Sequence, residues 1–161
     1  MSQQPEARFY FRDPSAPEPN APRMMGVGAL IERDGLLLLE RRVDAPLWSL
    51  IAGKVEDDES LGGALVREVL EETGLTVARY ELFGTFTDPA RIIAYPDGTT
   101  VRVASFVYRV AVESFDGLRA SEESEELRFF SREEIPVLPV PATQRPVFEL
   151  YLAGEPSLHL E

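Results

Sequence analysis

The chain has 161 residues, a formal net charge of −12, no cysteine and one histidine, His159. This length suits a single domain with a sizeable core. The negative charge argues against a nucleic-acid polymer as partner, because phosphate binding needs a basic surface. A small phosphate ligand stays possible, since a bound cation can reverse the local charge. The composition excludes disulfides and thiolate metal sites and argues against histidine-based chemistry.

The sequence also lacks the hydrophobic segments that target proteins to membranes. No apolar run reaches about 18 residues, the minimum for a transmembrane helix. The first residues, M-S-Q-Q-P-E-A-R, contain no hydrophobic segment of a secretory signal. We therefore expect a cytoplasmic protein that does not associate with membranes.

Residues 1–22 differ in composition from the rest of the chain. They contain five prolines, which favour an extended arm over a helix or a central strand: Pro5, Pro14, Pro17, Pro19 and Pro22. The aromatic run 9–11 interrupts this pattern. It could form an edge strand, pack on a partner subunit of a homodimer, or belong to a disordered tail. We predict that residues 23–161 form one domain.

Hydrophobic periodicity predicts an α+β fold with a mixed sheet and helices packed against it. The predicted helices are 61–73 and 143–153, the latter with Pro146 in its first turn and Gly154 at its end. Residues 113–126 are expected to form a polar loop. The predicted strands are 25–32, 36–39, 47–52, 77–87, 92–95, 100–112 and 127–130.

The stretch from Gly53 to Leu75 carries an unusual concentration of acids. At about 100° per residue, Glu68, Glu71 and Glu72 fall within roughly 100° of one helix face. Their mutual repulsion would destabilise the helix. A hard divalent cation would remove the repulsion, because Mg²⁺ and Ca²⁺ take oxygen ligands. Glu72 also projects toward the apolar stripe of the same predicted helix, where an acid is costly unless it is paired or bound to metal.

The full spacing of this stretch resembles the signature of the Nudix hydrolase family. Gly53 is followed after five residues by Glu59, then after seven by R-E-V, and then by E-E and G-L at one-residue intervals. The resemblance extends over about residues 24–153 and includes the L-W-S-L and S-E-E-L-R-F-F-S segments. It implies an α/β/α sandwich and metal-dependent hydrolysis of a diphosphate in a nucleoside diphosphate derivative.

The resemblance also implies roles for individual residues. Glu68, Glu71 and Glu72 would bind Mg²⁺ or Mn²⁺, and Arg67 would orient them. Glu59 would brace the loop or hold a bridging water, which makes it a further candidate at the metal. Gly53 would let the backbone approach metal or substrate.

A carboxylate must also accept the proton of the attacking water. In the family this base is either in the motif or in a loop toward the C-terminus. Glu72 is the candidate in the motif. The loop candidates are Glu122, Glu123, Glu125 and Glu126.

Substrate signals lie outside the motif. Pro89, in the segment F-T-D-P-A-R, resembles a proline of ADP-ribose and nucleotide-sugar pyrophosphatases. Arg41, Arg42 and Arg91 are candidates for contact with phosphate or for surface salt bridges. The alternatives are a nucleoside triphosphate pyrophosphohydrolase and a nucleotide-sensing module that does not cleave its ligand. Such modules usually lose glutamates of the motif, whereas this chain keeps them all.

Overall fold

The computed structural model describes residues 6–154 and 157–161, so that Pro5 of the predicted arm lies outside the described residues. The described part of the chain contains nine strands and two α-helices. The strands are β1 (Arg8–Phe11), β2 (Met24–Arg33), β3 (Leu36–Arg42), β4 (Trp48–Ser49), β5 (Ile51–Lys54), β6 (Val77–Phe86), β7 (Arg91–Ala94), β8 (Thr100–Val112) and β9 (Ser124–Phe130), and the helices are α1 (Leu61–Thr73) and α2 (Arg145–Ala153).

The sheet is mixed, as predicted, and it is also branched. Strands β2 and β8 run parallel at its centre, and every other pairing is antiparallel. From these two strands the sheet extends through β7 to β1 on one side and through β3 to β9 on the other. Strand β5 pairs with β2, which places the residues just before the acidic stretch beside the sheet centre.

Strand β2 separates two hydrophobic cores because successive side chains point to opposite faces of a sheet. Val27, Ala29 and Ile31 pack with Leu65 and Val69 of α1. Leu30, between them, faces the other way and belongs to the core that α2 covers. One helix on each face of the sheet confirms the α/β/α sandwich.

Helix α1 has the limits that the sequence predicts. The side chain of Ser60 accepts a hydrogen bond from Gly63 N at its start, a contact that satisfies one of the free backbone donors. At its end Gly74 has φ of 74°, the left-handed conformation that glycine adopts at low cost. The caps therefore fix the length of the helix that carries the three glutamates.

Two sequence predictions of secondary structure were wrong. Residues 124–126 belong to β9 and not to the polar loop, because their backbone pairs with Glu40–Arg42 of β3 despite their polar side chains. The single strand predicted over 47–52 is divided into β4 and β5 at Leu50, whose N–H is bonded to the side chain of Gln144.

The aromatic run near the N-terminus forms an edge strand of its own chain. All four residues of β1 pair with β7, from Arg8 opposite Ala94 to Phe11 opposite Arg91. Homodimerisation stays a prediction. Within residues 6–154 and 157–161, no helix combines the length and apolar character needed to cross a bilayer.

Candidate active site

A cleft of about 540 Å³ opens beside α1, β2 and β5. One wall is acidic and contains Glu40, Glu68, Glu72 and Glu123. Apolar and aromatic side chains also line the cleft and form its apolar wall, with contributions from Phe9, Met24, Ile93, Tyr95 and Val103. A cleft of this size with both charged and apolar lining suits a small ligand that has a charged and an apolar end.

Arg67 organises the acidic wall from within α1. Its guanidinium donates to both carboxylate oxygens of Glu59, at 2.6 and 2.7 Å. It also donates to Glu68 at 2.8 Å, to Glu71 at 3.2 Å and to the carbonyl of Lys54 at 3.0 Å. The fork geometry of arginine allows such simultaneous contacts. One cation therefore joins the loop before α1, the end of β5 and two of the predicted metal ligands.

Glu59 is fixed by this arrangement. The hydrogen bonds from Arg67 lower the pKa of Glu59 to about 2, and a bond from the backbone N–H of Glu56 contributes. Its two oxygens are thus occupied by donors of the loop and of Arg67. Two roles were suggested for Glu59, to brace the loop or to hold a bridging water, and this geometry supports the first.

Gly53 lies in direct contact with the carboxylate of Glu68. A Cβ at position 53 would stand 2.0 Å from Cδ of Glu68 and 2.2 Å from its Oε1. Every other amino acid carries a Cβ, so any substitution here would displace this carboxylate. The glycine of the motif therefore makes room for Glu68, a reason for its presence that does not involve left-handed backbone.

Glu72 is the most buried acid of the motif, with 4% of its surface exposed. Burial raises the pKa of Glu72 to about 10, and the neighbouring carboxylates of Glu40 and Glu123 add to this effect. The hydroxyls of Ser124 and Ser121 lie 3.4 and 3.5 Å from its Oε2. A buried carboxylate beside two others needs either a proton or a cation.

Glu40 is a site residue that the sequence reasoning missed. It is 5% exposed, and its carboxylate accepts hydrogen bonds from Ser124 and, at 3.4 Å, from Ser49. The two-residue period of a strand is the signal that could have revealed Glu40. It places Glu40 on the same face as Leu38, and in the structure Leu38 packs in the core on the α1 side of the sheet. Glu40 therefore had to point toward the helix that carries Glu72.

The acidic wall has the chemistry of a site for a hard divalent cation. Its side-chain donors are carboxylate oxygens, and the contact at Gly53 holds one of them against the backbone. Within the described ranges, no three acidic side chains are grouped closely enough to hold a metal ion as they stand. Arg67 accounts for part of this arrangement, because it binds Glu68 and Glu71 itself. Binding would thus require Glu71, which lies outside the cleft lining, to turn toward the cleft, and Glu68, which lines it, to exchange Arg67 for the metal.

The two glutamates at the start of the S-E-E-L-R-F-F-S match do not line the cleft. Glu125 lies 3.4 Å from Arg41, and Glu126 is bonded to Arg128 at 2.7 Å. Their neighbour Glu123 does line it. A β-bulge explains the position of Glu126, because Ser124 lies opposite Arg42 whereas Glu126 lies opposite Arg41, so that Glu126 does not share the face of Ser124.

The three arginines suggested for phosphate contact occupy different environments. Arg41 lies outside the cleft lining. Arg42 lines the cleft but is bonded to Asp44 at 2.6 and 2.7 Å. Arg91 is 2% exposed, and it donates to the carbonyls of Phe86, Val103 and Thr143 and to the hydroxyl of Ser105.

The structure thus gives Arg91 a bracing role between β7, β8 and the segment before α2. Burial lowers the pKa of Arg91 to about 10. A cation that the sequence reasoning did not single out, Lys54, lines the cleft next to Gly53.

We predict that Gly53→Ala weakens metal binding. The added methyl group would collide with the Glu68 carboxylate and displace it from Arg67 and from the cleft. The measurement is the rise in Tm on addition of Mg²⁺, since a ligand at about 100 times its Kd adds about 2.7 kcal/mol to the stability of the folded state.

Gly26→Ala is the matched control for Gly53→Ala. Its Cβ would meet no atom closer than 3.5 Å, although Gly26 lies on the adjacent strand and lines the same cleft. We expect it to keep the Mg²⁺ response. An unchanged response in Gly53→Ala would contradict the role assigned to this glycine.

We predict that Glu72→Gln stabilises the metal-free protein and abolishes its response to Mg²⁺. A neutral amide removes a carboxylate whose ionisation is opposed by burial and by Glu40 and Glu123. A gain of about 1 kcal/mol would raise Tm by about 2–4 °C in a domain of this size. A lower Tm together with a retained Mg²⁺ response would contradict this assignment.

Comparisons with known proteins identify the family of the chain. A family model of the NUDIX domain matches residues 22–151. The chain is 35% identical over 133 residues to a CTP pyrophosphohydrolase of Escherichia coli, covering 79% of this chain and 90% of that protein. It is 31% identical over 117 residues to an ADP-ribose pyrophosphatase of Methanocaldococcus jannaschii, covering 71% of this chain and 65% of that protein.

The fold is also similar to that of a solved structure. The MutT protein from Methanosarcina mazei Go1 superposes with a TM-score of 0.69 at 30% identity, covering 84% of this chain and 97% of that one. The family match includes the whole stretch from Gly53 to Leu75 and both helices except the end of α2. The chain belongs to the Nudix hydrolase family, and it is a hydrolase acting on diphosphate bonds.

Proposed function

We propose that the protein is a Mg²⁺-dependent or Mn²⁺-dependent pyrophosphohydrolase that cleaves the diphosphate of a nucleoside diphosphate derivative such as ADP-ribose or a nucleotide sugar. The observation that carries the proposal is the pairing of an acidic and an apolar wall in one cleft. A nucleotide has the same polarity, with a diphosphate at one end and an apolar base face at the other.

Glu68, Glu71 and Glu72 would hold the metal. When bound, such an ion neutralises phosphate oxygens and lowers the pKa of a coordinated water. The neighbouring residues position these three glutamates. Arg67 and Glu59 hold α1 to the preceding loop, and Gly53 leaves space for the Glu68 carboxylate.

The base that accepts the proton of the water is best sought within the cleft. Glu72 and Glu123 line the cleft, whereas Glu125 and Glu126 do not. Glu72 is buried against Glu40, and Glu123 is exposed. We therefore assign the base role to Glu123 and a metal-holding role to Glu72.

Hydrolysis of nucleoside triphosphates is the second candidate function. The relative named CTP pyrophosphohydrolase favours it, because the match covers 90% of that protein at 35% identity. The two functions differ in their products. ADP-ribose would give two monophosphates, AMP and ribose 5-phosphate, whereas CTP would give CMP and pyrophosphate.

The test is a panel of ADP-ribose, nucleotide sugars and nucleoside triphosphates with Mg²⁺, in which the products of each reaction are identified. We expect turnover of at least one member and a fall of roughly 10²-fold or more in kcat for Glu71→Gln, because metal stabilisation of the transition state is worth several kcal/mol. Glu133→Gln, a change at an exposed acid away from the cleft, is the control. Turnover of no panel member, or full activity in Glu71→Gln, would contradict the proposal.

A further inference from the structure

The N-terminal segment before the family match is fastened to the domain and forms part of its cleft. The family model begins at residue 22, so that β1 lies outside it. Ala7 N donates to the carbonyl of Asp44 at 2.9 Å. The side chain of Asn20 donates to the carbonyl of Gly98 at 2.9 Å and accepts from Thr100 N at 2.8 Å. These bonds hold both ends of the segment on either side of β1.

This attachment brings Phe9 to the apolar wall of the cleft. Phe9 lies opposite Ile93 in the pairing of β1 with β7. It packs with Met24 and Tyr95 against the small hydrophobic cluster of Ile93, Val101 and Val103. The ring is half-buried, so part of its surface faces the cleft.

Arg42 supports the ring of Phe9. Its guanidinium carbon lies 5.1 Å from the ring centroid, within the range of a cation–π contact. Two hydrogen bonds to Asp44 hold the guanidinium in place, and the carbonyl of Asp44 also receives Ala7 N. Burial opposes the charge of Arg42, but the hydrogen bonds that Arg42 donates to Asp44, together with the negative charges of Asp44 and Glu40, outweigh burial and raise the pKa of Arg42. The positive charge is thus already compensated, and Arg42 serves as a rigid backing for the aromatic wall.

We propose that Phe9, presented by β1, is the residue against which the base of the nucleotide substrate packs, so that it selects nucleotides over diphosphates that lack a base. A planar base presents an apolar face, and stacking on an aromatic side chain accepts any base. The arrangement would leave the diphosphate toward Glu68 and Glu72 on the acidic wall. This inference rests on the proposed function, and it assigns a substrate-binding role to a segment beyond the part of the chain that the family model matches.

The experiment compares three non-hydrolysable probes, each titrated calorimetrically in the presence of Mg²⁺. Two of them, α,β-methylene-ADP and α,β-methylene-CDP, carry a nucleoside, and the third, methylenediphosphonate, carries none. Wild-type protein is expected to bind the nucleotide probes more tightly than methylenediphosphonate. Phe9→Ala should weaken nucleotide binding by about tenfold or more, the loss expected for one base stacked on an aromatic ring. It should leave binding of methylenediphosphonate within about twofold, because the acidic wall is unchanged.

Two further variants separate recognition from folding. Phe11→Ala removes an aromatic side chain from the same strand but outside the cleft lining, so it should retain nucleotide affinity. Phe9→Tyr keeps the ring and should also retain it. Melting curves of each variant show whether β1 stays in place.

Several results would overturn the proposal. They are equal binding of the nucleotide and base-free probes by wild-type protein, binding of neither, equal loss in Phe9→Ala and Phe11→Ala, or parallel loss of both probes in Phe9→Ala. The proposed function fails by a different measurement, the absence of turnover on the substrate panel. Turnover of nucleotides together with equal binding of the nucleotide probes and methylenediphosphonate would support the proposed function but contradict the role assigned to Phe9.

Discussion

The carboxylate of Glu72 is buried against that of Glu40, and the rest of the site is arranged around this unfavourable pair. Burial and the neighbouring carboxylates raise the pKa of Glu72 to about 10, and the hydroxyl of Ser124 bridges it to Glu40. Such a pair lowers the stability of the fold unless a proton or a cation compensates it. A cation bound here would therefore stabilise the fold, and it would lie where α1, β3 and the start of β9 meet.

Arg67 and Gly53 fix the position of α1 on the sheet and of the Glu68 carboxylate. Arg67 joins Glu59, Glu68, Glu71 and the backbone of β5, so that α1 cannot shift along the sheet without breaking several charge-assisted bonds. Gly53 leaves space for one carboxylate at a contact that no other residue permits. The residues of the motif thus come from three elements that meet at the site, namely the end of β5, the loop before α1 and two turns of α1.

Sequence reasoning succeeded where local patterns decide the structure. The predicted limits of α1, residues 61–73, are those of the structure, in which Ser60 and Gly74 cap the helix. It failed where tertiary pairing overrides local polarity, as in the polar start of β9. Contacts between distant elements were also missed, because Glu40 of β3 and Glu72 of α1 are 32 residues apart in sequence and meet only through the fold. Arg91 lines the cleft, and its role as a phosphate contact stays a prediction, since its donors bind carbonyls of three separate segments.

If the acidic wall beside Gly53 binds a divalent cation, the ion will be visible in the anomalous difference map of a crystal soaked with Mn²⁺. We expect a peak bonded to carboxylate oxygens of Glu68 and Glu72, and the absence of that peak in crystals of Glu72→Gln. A Mn²⁺ peak elsewhere on the surface, with Glu68 still bonded to Arg67 and Glu72 still paired with Glu40, would contradict it.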